Sequence, residues 1–276
     1  MASSYIFSDT QFQSELERLQ ALEKVSDPAS QRQILATGLT AGWKCLEVGA
    51  GAGSIMRWMS EKVGGSGKVT AIDLDTRFVE NTSLSNVEVI KADIDRVTLT
   101  DSFDLIHARH ILVHLKHYRD TLAKMLNMLK PGGWLILEEP DFSAVRFISG
   151  TEEERQAVNK VNQAICQMFT DREKDYALGI HLPALLQQLN LQQLQVNNDV
   201  PISSGGSDIA TVMKLSALQL SEKYKATRIA TDEDIQKYCQ FAENTTSWGI
   251  YLATVSVSGQ KLENNCFPKK PPRAKN

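Results

Sequence analysis

Several features that mark other classes of protein are scarce or missing in this chain of 276 residues. Its four cysteines show no paired spacing, so no disulfide framework is indicated, and unpaired cysteines are typical of a reducing compartment. The formal net charge of −3 gives no general attraction to nucleic acid or to an anionic membrane. No apolar run is long enough to span a membrane, and the N-terminus lacks the basic start and apolar core of a signal peptide. We therefore predict a cytoplasmic protein that binds neither nucleic acid nor a membrane.

The overall composition is that of an ordinary globular protein. Hydrophobic residues make up 42% of the chain and charged residues 23%. The length corresponds to one large domain, or to a domain with an added cap. The one basic cluster lies among prolines near the C-terminus, and it predicts a disordered tail over residues 261–276.

The sequence is organised around residues 45–54, which read CLEVGAGAGS. An apolar run predicts a short buried strand that ends near Glu47, and the glycines after it open onto a helical pattern. A glycine turn between a strand and a helix lets the backbone approach a ligand closely, because glycine has no Cβ. It also presents backbone N–H groups at the start of the helix, which suit a negatively charged group. The stretch predicts a cofactor-binding loop, although a tight turn without a ligand would use the same glycines.

The spacing of these glycines differs from that of a dinucleotide-binding loop. A dinucleotide-binding loop has the pattern G-x-G-x-x-G. Gly49 and Gly51 fit its first two positions, but Ser54 occupies the third, and the last glycine is Gly53. An NAD(P)-dependent oxidoreductase is therefore the less favoured alternative.

Acidic residues follow the next two predicted strands. Asp73 closes the strand VTAI and follows Gly53 by about 20 residues, the usual length of a strand–helix–strand unit. A carboxylate at this place can accept hydrogen bonds from both hydroxyls of a ribose. Asp75 fits a helix-capping role better. Asp93 and Ile94 follow the third predicted strand, where the acid can accept from an adenine amino group and the apolar side chain can lie on the ring.

Five successive strand-and-helix units predict a parallel sheet with helices on both faces. The fourth predicted strand runs into His107 and Arg109, and Glu138 follows the fifth. Ligands bind at the carboxyl ends of the strands in such sheets, and every one of these ends carries polar residues. The predicted fold class is α/β, with a doubly wound, mostly parallel sheet.

Residues 37–141 contain a series of motifs, namely LEVGAGAG, AIDLD, KADI, FDLIHAR and LKPGGWLILEE. Together they resemble the core of the class I S-adenosylmethionine-dependent methyltransferases, and within that family the bacterial small-molecule group of types 11 and 12. The resemblance implies a Rossmann-like sheet of seven strands with an added helical lid, and S-adenosyl-L-methionine as the cofactor. It implies a methyl transfer to an O, N or C atom of a small aromatic or apolar molecule.

The resemblance also implies which residues bind the cofactor. The glycine loop would surround its methionine part, the acid after the second strand would take the ribose, and the pair after the third strand would take the adenine. Residues after the fourth strand would line the pocket floor. The residues implied are Glu47, Gly49, Ala50, Gly51, Gly53, Asp73, Leu74, Asp93, Ile94, Ala108 and Arg109.

Four of the five histidines lie within residues 107–117. A histidine titrates near neutral pH and can act as a general base, and His110 and His114 are the candidates, with Glu138 a weaker one. Structural histidines would give the same pattern, and a phenol or enolate acceptor could react without a dedicated base. A metal site is the less favoured alternative, because His107 belongs to the strand end and no Cys, Asp or Glu completes a ligand set. We predict no metal.

The sequence patterns also predict the boundaries of the segments along the chain. Residues 1–36 predict an N-terminal helical cap, and residues 37–141 the cofactor-binding core. Residues 142–248 predict lid helices and a sixth strand, and residues 249–260 a final strand, which the family places antiparallel to the others. Aromatic residues and methionines in the lid fit a flat, apolar acceptor. The predicted partner is a small-molecule acceptor, and the protein is predicted to be a monomer or a homodimer.

Two further functions share this fold. A methyltransferase that acts on RNA or protein would usually carry a basic groove or a separate recognition domain, which the composition does not indicate. A non-catalytic regulator that binds S-adenosylmethionine would keep the same glycine loop and acids, so this alternative stays open at the level of sequence.

Overall fold

The computed structural model describes residues 6–7, 12–99 and 102–262. The predicted disordered tail, after residue 262, and the start of the predicted N-terminal cap lie outside the described residues. None of the helices in the described part of the chain is both long and apolar enough to cross a membrane. The helices are α1 Phe12–Ala36, α2 Ser54–Val63, α3 Tyr118–Met128, α4 Glu152–Thr170, α5 Leu178–Gln188, α6 Asp208–Gln219, α7 Ser221–Ala226 and α8 Asp232–Glu243. The strands are β1 Lys44–Val48, β2 Lys68–Asp73, β3 Val87–Lys91, β4 Phe103–Arg109, β5 Leu129–Asp141, β6 Arg146–Ser149, β7 Gln192–Asp199, β8 Ile202–Ser204, β9 Trp248–Ile250 and β10 Ala253–Gln260.

Seven strands form one sheet in the order β3-β2-β1-β4-β5-β10-β7. Strand β10 pairs antiparallel with both of its neighbours, and the other pairs in this sheet are parallel. The predicted α/β class with a mostly parallel, seven-stranded sheet is therefore confirmed. The strand order reverses between β1 and β4, so a crevice opens at the carboxyl ends of these two strands.

The two faces of the sheet pack against different layers of helices. Leu105 and Ile136 belong to an apolar cluster with residues of α1 and α2. Ile106 and Leu137, one position further along the same strands, belong to a cluster with residues of α3 to α8. This follows from the alternation of side chains along a strand. Two acids that are adjacent at a strand end therefore face different layers, which matters for the site.

Helix α1 is continuous over 25 residues, although Pro28 lies inside it. A proline removes one N–H donor from the helix interior. The C-terminal half of α1 buries Ile34 against the core. In its N-terminal half, the Ser14 carbonyl accepts a hydrogen bond of 2.8 Å from the Gln219 side chain of α6. Helix α1 therefore connects the core to the lid, a position that its local sequence does not reveal.

The predicted final strand over residues 249–260 is divided in the structure. Strand β9 pairs with β6 and β8 in a separate three-stranded antiparallel sheet, and β10 begins at Ala253 in the large sheet. Tyr251 and Leu252 lie between the two strands and are buried. The division is not visible in the sequence, because WGIYLATVSV reads as one continuous apolar run.

Two helices of the lid begin with capping boxes. The Thr151 hydroxyl accepts from the Glu154 backbone N–H in α4, and the Thr231 hydroxyl accepts from the Asp234 backbone N–H in α8. In return, each acid's carboxylate accepts from the backbone N–H of its threonine, at 2.7 Å in α4 and 3.0 Å in α8. The Glu154 carboxylate also accepts from the Ser247 hydroxyl at 2.9 Å, which joins the start of α4 to the segment before β9.

Candidate cofactor and acceptor site

A cavity of about 180 Å³ lies at the carboxyl ends of the central strands. The same cavity is lined by Asp73 at the end of β2 and by Tyr224 in the lid helix α7. Its walls come from the loop after β1, the ends of β2 and β3, the segment after β4, and the helices α1, α4, α6 and α7. One space therefore connects the predicted cofactor residues to the lid.

The loop after β1 is held in a shape that only glycine adopts easily. Gly49, Gly51 and Gly53 have φ angles of 80°, 55° and 91°, in the left-handed region that side chains with a Cβ disfavour. At Gly49 a Cβ would also overlap the side chain of Ile111, which lies over the loop. Backbone atoms of Gly49 and Gly51 therefore line the cavity directly.

Asp73 is fixed by backbone groups on both sides. Its Oδ2 accepts from the Gly51 N–H at 2.9 Å, and its Oδ1 accepts from the Asp75 N–H at 2.9 Å. Burial raises the pKa of the Asp73 carboxyl, and these N–H groups oppose the shift. A carboxylate oxygen can accept more than one hydrogen bond, so both oxygens keep capacity for a ligand in the cavity. Asp75 also lines the cavity, and its carboxylate pairs with Arg77 at 2.7 Å.

Asp93 and Ile94 lie side by side at the end of β3 and both line the cavity. The Asp93 carboxylate accepts from the Asp95 N–H at 3.0 Å, which fixes its orientation. Ile94 is buried within the apolar cluster on the lid side. An acceptor oxygen next to an apolar side chain fits the edge and the face of a purine ring.

The residues implied for cofactor binding divide into two groups. Gly49, Gly51, Asp73, Leu74, Asp93, Ile94 and Arg109 line the cavity. Glu47, Ala50, Gly53 and Ala108 are not among its lining residues. Gly53 instead lies against Val79 and Arg57 at the start of α2, and Ala108 lies in the apolar core. For these four residues, the structure gives no direct contact with the cavity, although their role in binding stays a prediction.

Glu47 takes part in a buried chain of ionisable side chains. His107 bridges two carboxylates, with Nδ1 at 2.8 Å from Glu47 and Nε2 at 3.0 Å from Glu138, and in its protonated form it donates to both. The negative charge of Glu47 and the hydrogen bond to Glu138 raise the pKa of His107 to about 9, although burial opposes this. The pKa of Glu47 is raised by burial, and that of Glu138 is lowered by its hydrogen bond to His107. Glu138 is therefore a structural partner of His107 rather than an accessible base.

The chain continues from Glu138 into α1. The Ser30 hydroxyl lies 2.9 Å from Glu138 Oε2, and Arg109 donates to the same hydroxyl at 2.8 Å. Arg109 also pairs with Asp27 of α1 at 2.9 Å. Asp27 in turn accepts from the Ser54 hydroxyl at the start of α2 at 3.0 Å. These contacts attach α1 to the strand ends and to the glycine loop, so the helix covers the cavity in a fixed position.

A second buried acid shapes the segment after β4. The Glu139 carboxylate accepts from the backbone N–H groups of Ile111, Leu112 and Val113 at 3.1, 2.7 and 3.1 Å. Burial raises the pKa of Glu139 to about 8, against the effect of these three donors. Glu138 faces α1, whereas Glu139 faces the opposite layer, as the alternation of side chains requires. Glu139 thereby holds Ile111 over the glycine loop.

His110 and His114 both line the cavity. His110 has a φ of 55°, and its Nε2 lies 3.2 Å from the Thr254 hydroxyl. The His114 ring stacks on Phe169, with ring centroids 6.3 Å apart. Burial lowers the pKa of His110 to about 3 and that of His114 well below its ordinary value. Both imidazoles are therefore neutral at physiological pH and are weaker bases than an ordinary histidine.

The histidines do not lie together as the metal alternative requires. His107 is in β4 and bonded to two carboxylates, whereas His114 lies in a short 3-10 turn of residues 112–114. Within the described ranges, no group of three or more His, Cys, Asp or Glu side chains could hold a metal ion.

The lid end of the cavity is mainly apolar. Phe142 and Phe169 stack with centroids 5.3 Å apart, and Met168, Met213 and Leu252 also line it. Other aromatic residues of the segment 142–248, namely Phe147, Tyr176 and Trp248, are not among the lining residues. Phe147 packs on Phe241 instead, and Trp248 is 44% exposed.

Three functional residues were not identified by sequence. Glu15 and Arg18 of α1 line the cavity as an ion pair of 2.7 Å, and Arg18 stacks over the Phe7 ring at 3.8 Å. Glu139 is the last residue of the motif LKPGGWLILEE, and the sequence assigns it no role of its own. Glu15 and Arg18 are spaced as an i, i+3 ion pair on a helix, but such pairs are usually exposed. The local sequence therefore gave no indication that this pair lines a cavity.

Comparisons with known proteins agree with this geometry. A family model described as "Methyltransferase domain" matches residues 46–137. The ubiquinone/menaquinone biosynthesis C-methyltransferase UbiE of Pseudomonas fluorescens is 30% identical over 115 residues, which cover 38% of this chain and 45% of that protein. An uncharacterized 37.1 kDa protein of a Streptomyces fradiae transposon is 30% identical over 139 residues, 48% of this chain and 40% of that protein. The chain thus spans less than half the length of these relatives.

Solved structures share the fold over most of the chain. The YcgJ protein of Bacillus subtilis has a TM-score of 0.55 at 18% identity, covering 85% of this chain and 98% of its own. The phosphoethanolamine N-methyltransferase 2 of Haemonchus contortus has a TM-score of 0.57 at 14% identity, covering 95% of this chain and 61% of its own. The family match over residues 46–137 and the sheet order therefore show that this part of the chain is similar to a methyltransferase domain and that the chain has the fold of these structures.

Proposed function

We propose that this protein is an enzyme that transfers the methyl group of S-adenosyl-L-methionine to an O, N or C atom of a small aromatic or apolar molecule. The observation that carries the proposal is the single cavity that runs from Asp73 and the glycine loop to the aromatic residues of the lid. A cofactor and an acceptor that occupy its two ends would be adjacent, and α1 and the lid would exclude water from them.

The residues present fit this cofactor. Gly49 and Gly51 present bare backbone to the cavity, which suits the methionine part. Asp73 keeps acceptor capacity on both carboxylate oxygens for the two ribose hydroxyls. Asp93 and Ile94 offer an acceptor and an apolar surface for the adenine. When bound, S-adenosylmethionine would supply an electrophilic methyl carbon, which the acceptor atom would attack in line as the carbon–sulfur bond breaks and S-adenosylhomocysteine leaves.

His110 and His114 are the residues we propose for proton transfer. Both line the cavity between the glycine loop and the lid, and burial keeps both imidazoles neutral. A neutral imidazole can take the proton from an acceptor hydroxyl as the new bond to carbon forms. Glu138 is not proposed as a base, because it is bonded to His107 and Ser30 and faces α1.

The acceptor is proposed to be a small molecule, with no nucleic-acid or membrane partner. The net charge of −3 and the mainly apolar cavity favour this choice. A cytoplasmic location and a monomeric or homodimeric state stay predictions from the sequence. An NAD(P)-dependent oxidoreductase gains no support from the structure or from the relatives.

The proposal is tested by calorimetric titration of the purified chain with S-adenosylmethionine and, separately, with NADH. We expect S-adenosylmethionine to bind and NADH not to bind. Asp73→Asn removes the charge that receives the ribose hydroxyls, so we expect the Kd to rise roughly 10- to 100-fold. Asp75→Asn is the matched control, because Asp75 also lines the cavity but pairs with Arg77.

Two results would contradict the assignment. Binding of NADH in place of S-adenosylmethionine would show that the glycine loop holds a dinucleotide. A stronger loss of affinity in Asp75→Asn than in Asp73→Asn would move the ribose contact to Asp75. Cofactor binding without any methyl transfer to a broad panel of acceptors would favour the non-catalytic alternative.

A further inference from the structure

The backbone at His110 is held in an uncommon conformation from both sides. His110 has a φ of 55°, in the left-handed region that side chains with a Cβ disfavour. Its own N–H donates to the Glu138 carbonyl at 2.7 Å, and the next N–H, that of Ile111, donates to the Glu139 carboxylate at 3.1 Å. In the described part of the chain, five residues other than glycine have a positive φ, and of these His110 is the one that lines the cavity. Such a conformation persists only where the surroundings fix it, and it clusters at functional sites.

The two nitrogens of the His110 ring have different surroundings. Nε2 lies 3.2 Å from the hydroxyl of Thr254 in β10. Nδ1 has no hydrogen-bond partner among the described residues, yet it is not shut off from solvent. Because His110 lines the cavity, Nδ1 is the nitrogen that faces it. In His114, by contrast, Nδ1 is fully buried, and the ring stacks on Phe169.

These surroundings favour one tautomer of the neutral His110 ring. Burial lowers the pKa of His110 to about 3, so at physiological pH the ring has one N–H, and either nitrogen can carry it. A buried N–H without an acceptor is rarer in proteins than an acceptor without a donor. The Thr254 oxygen supplies an acceptor at Nε2, whereas no described residue supplies one at Nδ1. The Nε2–H form is therefore favoured, and it directs the lone pair of Nδ1 into the cavity.

Thr254 holds its hydroxyl in a rigid position. It lies in β10, where it is paired with Pro140 of β5 on one side and with Asp199 of β7 on the other. Its β-branched side chain has restricted rotation about χ1. Among the described residues, the hydroxyl makes no hydrogen bond other than the one to His110. Its effect is therefore concentrated on this ring.

We propose that Nδ1 of His110 receives the proton of an acceptor hydroxyl during methyl transfer, and that Thr254 is a positioning residue that keeps the ring in its Nε2–H form. The hydroxyl oxygen forms a bond to the methyl carbon, the carbon–sulfur bond breaks with its electron pair on the sulfur, and the O–H proton passes to Nδ1. The oxygen becomes strongly acidic as its bond to carbon forms, so a weak base is sufficient. This inference rests on the proposed function, because it assigns the proton-accepting atom of the same site.

The tautomer is measured by NMR of protein whose histidines carry ¹⁵N, since protonated and unprotonated ring nitrogens resonate far apart. The signals of His110 are assigned by their loss in His110→Asn. In the wild type saturated with S-adenosylhomocysteine, we expect a protonated Nε2 and an unprotonated Nδ1. Thr254→Val keeps the shape of the side chain but removes the hydroxyl. The ratio of the Nε2–H form to the Nδ1–H form should therefore fall roughly three- to tenfold, the value of one hydrogen bond.

Thr254→Ser and Ser256→Ala are the controls. Serine keeps the hydroxyl, so Thr254→Ser should retain the wild-type tautomer. Ser256 lies two residues further along β10 on the same face, and its buried hydroxyl has no partner among the described residues, so its loss should leave the His110 signals unchanged. A proton on Nδ1 in the wild type, or an unchanged ratio in Thr254→Val, would overturn the inference. The wild-type spectrum decides the first point even if Thr254→Val does not fold.

The access of a hydroxyl to Nδ1 is tested with phenol and anisole, which differ by one methyl group on the oxygen. Each probe is added to the wild type in the presence of S-adenosylhomocysteine. Phenol should shift the Nδ1 signal, because an O–H that donates to a ring nitrogen changes its resonance. Anisole has no O–H and should shift it much less. Equal shifts with the two probes, or no shift with phenol, would show that Nδ1 does not receive a hydroxyl.

The binding of S-adenosylhomocysteine is measured first, by calorimetry and without a probe. If it does not bind, the proposed function fails, and the inference fails with it. If it binds and Nδ1 carries the proton or does not respond to phenol, only the roles given to His110 and Thr254 fail.

Discussion

The buried His107 links pH to the stability of this fold, and Glu47→Gln is the change that tests it. His107 has an ordinary pKa of 6.5, and in the folded protein its pKa is raised to about 9. The charge of Glu47 is the largest of the causes that raise it. Glutamine has nearly the same shape and can still accept from Nδ1, so the substitution removes the charge but preserves the packing.

The sign of the effect follows from linkage. A histidine whose pKa is higher in the folded state stabilises the fold fully below about pH 6.5, and this contribution disappears as the pH rises through about 9. A shift of this size corresponds to about 3 kcal/mol of unfolding free energy. In Glu47→Gln the pKa of His107 should fall, because burial lowers it and the charge of Glu47 no longer opposes burial. Most of the stabilisation from protonated His107 should therefore be missing in this variant even at pH 6.

The measurement is urea unfolding of both proteins at pH 6, 7, 8 and 9, followed by circular dichroism. Other groups titrate in this range, since the pKa of Glu139 is raised to about 8 and that of Lys174 is lowered to about 8. These contributions are common to both proteins and cancel in the difference between them. We expect the difference in unfolding free energy to be largest at pH 6 and to shrink towards pH 9.

Glu88→Gln serves as the control for the loss of a carboxylate at the surface. Glu88 of β3 is half exposed and pairs with Lys68 at 2.6 Å, so its replacement should change the unfolding free energy by less than about 1 kcal/mol at every pH. Parallel pH profiles of the wild type and Glu47→Gln would refute the reasoning, because they would show that Glu47 does not set the protonation of His107.

Two further predictions concern the loop that covers the cofactor. In Glu139→Gln, one oxygen can still accept from the N–H groups of Ile111 and Leu112, but the amide nitrogen faces the Val113 N–H. The unfolding free energy should therefore fall by about 1–3 kcal/mol, measured by urea unfolding, and the affinity for the cofactor, measured by calorimetry, should fall with it. If neither quantity changes, the carboxylate does not order this segment. In Gly49→Ala, the new Cβ would overlap the Ile111 side chain, and the backbone φ of 80° would be strained, so cofactor binding should be lost. Adding Ile111→Ala to this variant removes the overlap but not the backbone strain, so it should restore only part of the binding. Full restoration would show that the overlap with Ile111 alone matters.

The local sequence determined the core of this protein because its signals are short-range. The glycines at 49, 51 and 53 permit the left-handed backbone that the turn between β1 and α2 needs, so the glycine spacing after an apolar run predicted this strand–turn–helix unit. Asp73 and Asp93 were placed correctly at the cavity because each ends a strand with a clear apolar pattern. Parallel strands joined by helices then allow few topologies, so the α/β class followed as well.

The tertiary structure decided which of the polar residues face the cavity. The sequence predicts Glu47 and Glu138 at strand ends like Asp73, but Glu138 lies inside β5. The alternation along β1 and β5 directs both acids to the side of the sheet that α1 covers, where both bind His107 of β4 and Glu138 also binds Ser30 of α1. Adjacent residues on a strand face opposite layers, so a shift of one position reverses the role of an acid. Sequence patterns place a strand end only to within a few residues, which is too coarse for this distinction.

The acceptor end depended on contacts between distant parts of the chain. Arg18 and Tyr224 are about 200 residues apart in sequence, yet both line one cavity because α1 packs against α6 and the lid. No periodicity within α1 or α7 indicates a partner at such a distance, since burial by tertiary packing depends on both elements at once. The sequence alone therefore determined the α/β core and its glycine loop, whereas the folded arrangement of α1 and the lid decided which side chains line the other end of the cavity.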